Sequence, residues 1–238
     1  ESYIMECSPF AVVDVGFVNS LAASSVPRAS RSTAVSSVPT GRPMHARFTI
    51  TYDYLCPFAR VANEAVAEAL NDGADYEVLF APFSLHQNSL GSDGIAVWDD
   101  PDGANGPGVQ ALLWSLAVRD AQPERFLAFH VALFSARHDV GSDLTEVDVL
   151  RAVADGVGVD TAQIEEVVAS GSPMDNLRTE HSWLVEEFDV FGVPTFIAGD
   201  EAVFVRLMER HRRDDLERVL ALVNQPNINE FKRTRIPR

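Results

Sequence analysis

Cys56 is the side chain in this sequence best suited to covalent chemistry, and its neighbours indicate how. It stands in Asp53-Tyr54-Leu55-Cys56-Pro57-Phe58-Ala59-Arg60. The preceding run, Phe48-Thr49-Ile50-Thr51-Tyr52, is apolar and β-branched, the pattern of a buried strand. After it Val61, Ala62, Ala65, Val66, Ala69 and Leu70 recur at helical spacing. Pro57 suits the first helical position, where its missing N–H would have had no partner. Cys56 is therefore expected at the end of a strand, on the N-terminal turn of a helix. Free backbone N–H groups and the helix dipole favour an anion there, and such a cysteine can have its pKa lowered from about 8.5 to roughly 3.5–7.5. The expected chemistry is that of a thiolate nucleophile, with a buried, inert cysteine as the competing reading. Arg60, on the same turn, is a candidate to stabilise the thiolate or to be solvated. Asp53 is a candidate to exchange a proton with it or merely to end the strand.

A second stretch completes the pattern. Phe191-Gly192-Val193-Pro194-Thr195-Phe196-Ile197 is a strand entered through Gly-Val-Pro. Together, the strand–Cys-Pro-x-x–helix unit and the Gly-Val-Pro-Thr-Phe strand resemble the DsbA-like branch of the thioredoxin superfamily. The resemblance covers roughly residues 48 to 238. It implies an α/β thioredoxin fold with an inserted all-helical subdomain. It also implies a cis Pro194 facing Cys56, with Val193 offering backbone groups to a bound thiol or peptide. Pro57, Phe58, Ala59, Val193, Pro194 and Thr195 are then the expected thiol-binding residues around a catalytic Cys56. The ending Glu230-Phe231-Lys232-Arg233-Thr234-Arg235 is similar to actinobacterial members that work with mycothiol.

One position departs from the resemblance. The family's redox motif is Cys-x-x-Cys, and here the fourth residue is Ala59. The chain has two cysteines, Cys7 and Cys56, and Cys7 lies outside the resembling region. An internal dithiol–disulfide cycle at this site is excluded. The expected function is a thiol–disulfide oxidoreductase with one active-site cysteine and a monothiol mechanism. Mycothiol or glutathione would serve as co-substrate, with no tightly bound cofactor. The competing readings are a non-redox protein that holds an extended peptide, and a thiol-dependent isomerase or transferase on a degenerate thioredoxin fold.

The remaining elements must position these residues. Tyr76 to Phe83 reads as a second strand, with Pro82 marking an edge or a bend. Ser84 to Asn88 follows as a loop; its His86 is the histidine best placed to approach Cys56, against a surface or core-edge reading. Gly91 to Gly108 is rich in glycine, aspartate and proline, the composition of a mobile lid. Asp93, Asp99, Asp100 and Asp102 in it do not follow calcium-loop spacing, and the histidines lack metal-ligand spacing, so no metal site is expected. Helical patterns cover Val109 to Ala121, a stretch from Pro123, one opened by Thr145-Glu146-Val147-Asp148 as an N-cap signature, one capped by Asp160 or Thr161, and Met174 to Phe188 ending near Phe191-Gly192. Strands Thr195 to Ile197 and Ala202 to Val205 form a hairpin, and a last helix spans about 213 to 223. Arg206, Arg210, Arg212 and Arg213 cluster before it, as an anion site for a thiol's carboxylates or as a solvated patch balancing Asp214, Asp215 and Glu217.

Composition bounds the rest. With 238 residues, 46% of them hydrophobic, the chain can bury one sizeable core. Net charge is −16, which repels nucleic acid and anionic membranes, so the expected partners are a small thiol or disulfide and an extended peptide. No apolar stretch spans a bilayer. Two cysteines give no disulfide framework, and a reducing cytoplasm is the expected setting. Residues 1–44, with Ser24 to Pro43 rich in Ser, Pro, Ala and Arg, are expected to be a disordered N-terminal extension. No basic region precedes their short apolar run, which argues against a signal peptide, and Met44 is an alternative natural start. The DsbA-like domain is expected over 45–238, with its helical insertion at about 105–190.

Overall fold

A computed structural model describes residues 45–91, 94–223, 225 and 227. The N-terminal extension, Cys7 and the ending Glu230–Arg235 lie outside the described residues. Strand β1 (Ala46–Tyr52) runs into helix α1 (Pro57–Asn71), and strand β2 (Tyr76–Pro82) returns parallel to β1, Ala46 opposite Tyr76 and Tyr52 opposite Pro82. Far along the chain, β3 (Thr195–Ala198) pairs antiparallel to β1, with Ile50 opposite Phe196, and β4 (Glu201–Phe204) pairs antiparallel to β3. The sheet order is β2-β1-β3-β4. β2 is thus an edge strand, and Pro82, without an N–H to donate, stands at its end. The last helix, Arg213–Val223, packs on β3, β4 and α1.

Between β2 and β3 lie a short helix α2 (Leu85–Ser89) and five longer ones: α3 (Val109–Ala121), α4 (Pro123–Ser135), α5 (Val147–Gly156), α6 (Thr161–Ala169) and α7 (Ser172–Phe188). The helix after β4 is therefore α8. Helix α3 is buried on almost every side, from Val109 through Arg119, and packs against α4, α6 and α7. That is the expected place for a helix without a polar face. His130 of α4 sits among Tyr52, Tyr54, Phe80, Phe126 and Phe134, all ring contacts, and links the helical block to the sheet.

Four local expectations change. Ser84–Asn88 is not loop: Ser84 Oγ accepts the Gln87 N–H at 3.1 Å and starts α2. Thr145 does not cap α5. Asp143 Oδ1 takes both its N–H and its hydroxyl, at 3.0 and 2.8 Å, an Asx-type turn that outcompetes the cap, and α5 starts at Val147. Helix α7 ends at Phe188, short of Gly192: Asp189 adopts the left-handed conformation (φ 51°) and its N–H reaches back to Val185 O, an αL closure. The Gly91–Gly108 segment is not an open lid over its described length. Val97 is buried and its N–H meets Gln87 Oε1 at 2.7 Å, while Asp99 pairs with Arg178 of α7. Gly103 lies so close to Val97 that a Cβ there would be 1.8 Å from the Val97 carbonyl oxygen.

Candidate functional site

Cys56 is the N-cap of α1. Its backbone is extended (φ −90°, ψ 116°), and its Sγ accepts the Ala59 N–H at 3.4 Å. The sulfur also lies 3.5 Å from Val193 O, to which the thiol donates. So β1, α1 and the β3 entry loop meet at one sulfur. Val193 is followed by a cis peptide bond to Pro194. The loop is held by Thr195: its N–H goes to Thr51 Oγ1 and its hydroxyl to Gly192 O, both at 2.8 Å. Asn63 of α1 donates to Thr51 O and Ala59 O, and His130 Nε2 meets Asn63 Oδ1 at 3.1 Å. Thr51 and Asn63 were not singled out in the sequence, although a threonine on an otherwise apolar strand and an asparagine on the apolar side of a helix are the visible marks of such a role.

The electrostatics of Cys56 reverse the expectation. Burial pushes its thiol up, which the Ala59 and Phe58 N–H groups offset only in part; Asp53 raises it further and Arg206 lowers it. The helix N-terminus acts over one turn, but desolvation of a part-buried sulfur opposes ionisation from all sides and outweighs it. The rate of Cys56 alkylation should accordingly keep rising beyond the ordinary thiol range near pH 8.5; a plateau below pH 7, read by mass spectrometry, would contradict this.

Arg60 does not serve the thiolate. It is buried and bonds Glu64 at 2.8 Å and Asp139, while Arg210 meets the same Glu64 at 2.6 Å. A buried guanidinium needs carboxylates, and these two supply them. His86 is half-buried with its ring against Gly106, and it forms no hydrogen bond to Cys56. His138 Nε2–H donates to Tyr54 O at 2.9 Å, two residues before Cys56. His130 and His181 are core residues; burial lowers them to about 3 and about 4, so both are neutral at pH 7. Phe58 is part-buried and Ala59 fully buried. The arginine cluster divides: Arg210 joins Glu64, Arg212 meets Glu209 and Asp215, Arg213 meets Glu217, and Arg206 lies over two aromatic rings. Among the described residues no group of three or more His, Cys, Asp or Glu could hold a metal ion, and no helix is long and apolar enough to cross a membrane.

Asp53 is fully buried. Its carboxylate accepts the Leu55 and Leu85 N–H groups, both at 2.8 Å, tying the turn before Cys56 to the start of α2. Gly108 (φ +76°) closes over it; a Cβ there would be 3.2 Å from Asp53 Oδ1. Burial outweighs both bonds and pushes the carboxyl up from 3.8 to about 6. A group whose folded pKa is raised stabilises the fold below its unfolded value, and that stability is lost as pH rises through about 6. Asp53→Asn, which cannot accept both bonds, should lower stability near pH 4 and cost less, or nothing, at pH 7. Urea unfolding of both proteins across pH 4–7 checks this; a difference that does not change with pH refutes it.

A four-stranded mixed sheet with helices inserted before the last hairpin, and a cysteine capping the first helix, defines a thioredoxin-type protein. The chain belongs to the DSBA-like thioredoxin domain family, whose model matches residues 49–221. It is 26% identical over 183 residues to the uncharacterized protein YwbO of Bacillus subtilis, covering 67% of this chain and 90% of that one. The fold is similar to that of the thiol-disulfide exchange protein α-DsbA2 of Wolbachia pipientis (TM-score 0.52, 19% identity, 75% of this chain, 81% of that one). It is also similar to BdbD of Bacillus subtilis (0.53, 17%, 74% and 86%) and to a 2-hydroxychromene-2-carboxylate isomerase (0.53, 18%, 76% and 97%).

Proposed function

We propose that this protein is a monothiol member of its family that exchanges disulfides with a low-molecular-weight thiol, mycothiol or glutathione, in a reducing compartment. Cys56 is the catalytic residue. Its thiolate attacks the small-thiol sulfur of a mixed disulfide; the substrate leaves as a thiolate, and Cys56 becomes disulfide-bonded to the small thiol. A second small thiolate attacks that adduct on the small-thiol sulfur, releasing Cys56 and the symmetrical small disulfide. Each step exchanges one S–S bond for another, and two electrons pass from the small thiols to the substrate. The observation that carries the reading is the placement of the Cys56 sulfur at the α1 N-cap, 3.5 Å from Val193 O, with a buried alanine where a resolving thiol would stand. Phe58, Pro194 and Thr195 frame the small thiol. The raised thiol predicts slow attack at neutral pH and, because Cys56 is then a poor leaving group, a persistent adduct.

Incubation with glutathione disulfide should add one glutathione per chain at Cys56, located by peptide mapping, while insulin reduction with dithiothreitol stays at background. Absence of the adduct at pH 8, or its persistence in Cys56→Ser, would sink the reading. The protonated thiol held on Val193 O favours a second one, a non-redox site that binds an extended peptide or activates a bound thiol. It predicts no adduct, and a peptide or thiol that binds equally well to Cys56→Ser.

A further inference from the structure

We propose that Arg206 sets the specificity of the Cys56 site by receiving a carboxylate of the thiol or disulfide that enters it. The inference rests on the exchange reading above and narrows its thiol to one that carries a carboxylate, as glutathione does and mycothiol, with its cysteine carboxyl tied up as an amide, does not. Arg206 is exposed, just after β4. Its guanidinium carbon lies 5.2 Å from the ring centre of Phe58, two residues beyond Cys56, and 5.5 Å from that of Phe204. Phe204 in turn packs against Phe191, which is 67% exposed, with ring centres 5.2 Å apart. Val205 N–H donates to Pro194 O at 3.2 Å. The segment that carries Arg206 is therefore fastened to the loop that presents Val193 O to the sulfur.

Three features point to a ligand. First, Arg210, Arg212 and Arg213 all hold carboxylates, whereas Arg206 has none among the described residues. Second, a guanidinium carbon 5.2 and 5.5 Å from two ring centres is held by cation–π attraction, which uses none of its N–H donors, and those donors form the fork that grips a planar carboxylate. Third, the chain carries a net charge of −16, so an anionic ligand is repelled at long range and needs a local cation, which acts within about 10 Å at 0.1 M salt. The exposed ring of Phe191 and the part-buried ring of Phe58 supply apolar contact for the rest of a small thiol.

S-methylglutathione, which carries the carboxylates but cannot exchange, is the probe, titrated against Cys56→Ser by calorimetry. It should bind, and adding Arg206→Gln should weaken it about tenfold, the scale of one charge-assisted hydrogen bond. Arg212→Gln should leave binding unchanged. The dimethyl ester of the probe should bind weakly and be indifferent to Arg206. No saturable binding, or equal affinity with and without Arg206, overturns the proposal. The exchange reading is judged separately, by whether Cys56 of the otherwise native chain reacts with the neutral hydroxyethyl disulfide. Reaction there without carboxylate selectivity leaves exchange standing and removes the role of Arg206; selective binding without reaction does the reverse.

Discussion

Ala59→Cys should confer insulin reduction on a chain that is expected to lack it. The N-cap and third residues of a helix face each other across its first turn, and here the Ala59 N–H already points at the Cys56 sulfur at 3.4 Å. A disulfide needs Cβ atoms about 3.5–4.5 Å apart, which this turn is suited to provide. In a Cys7→Ser background, mild oxidation should consume two thiols per chain without dimers. Ala59 is fully buried, so the reduced variant has to fit an extra sulfur, and overpacking of that kind costs about 1–3 kcal/mol. The reduced variant should therefore melt below the parent and recover on oxidation. If both thiols persist, or link between chains, the first turn of α1 does not have redox-motif geometry. A rate of insulin reduction that stays at background despite disulfide formation would place the limit in substrate binding instead.

The largest loss of stability is expected from Glu180→Ala. Glu180 of α7 and Arg119 of α3 form a two-pronged pair at 2.6 and 2.9 Å, 3% and 2% exposed, and Arg119 also donates to Phe80 O. The pair joins α3, α7 and β2 across the middle of the molecule. Removing the carboxylate leaves a guanidinium that cannot deprotonate, with the part-exposed Asp120 as its remaining carboxylate. Breaking a buried pair costs about 3–5 kcal/mol, where exchange of both partners for apolar residues is far milder. The melting temperature should drop by about 10 °C or more, and Glu180→Ala with Arg119→Met should recover much of it. A loss below about 1 kcal/mol in urea unfolding would mean that the pair behaves as a surface bridge.

These two positions divide what was legible. The strand before Cys56 and the helix after it follow from periodicity and from a proline at the first helical turn, both properties of neighbouring residues, and β1 and α1 fall there. Helix α3 and the β3–β4 hairpin were legible for the same reason, as was the absence of a partner for Cys56 at residue 59. The family followed from two short motifs more than a hundred residues apart, because each is a local signal of a loop conformation.

Contacts between distant residues decided the rest. The same helix N-terminus that favours a thiolate is covered by protein, and desolvation, which no local pattern records, turns the Cys56 shift upward. Arg60 looked free to meet the sulfur, but Glu64 and Asp139, four and 79 residues away, hold it. Asp53 gained its meaning from the Leu85 N–H, 32 residues on. Of four clustered arginines, three found carboxylates and one came to rest over Phe58 and Phe204. By itself the amino-acid sequence determined that this protein has a thioredoxin-type frame with a single cysteine at the start of its first helix. Which charges reach that cysteine was decided by tertiary structure alone, because burial and partner distance are properties of chain segments brought together only by folding.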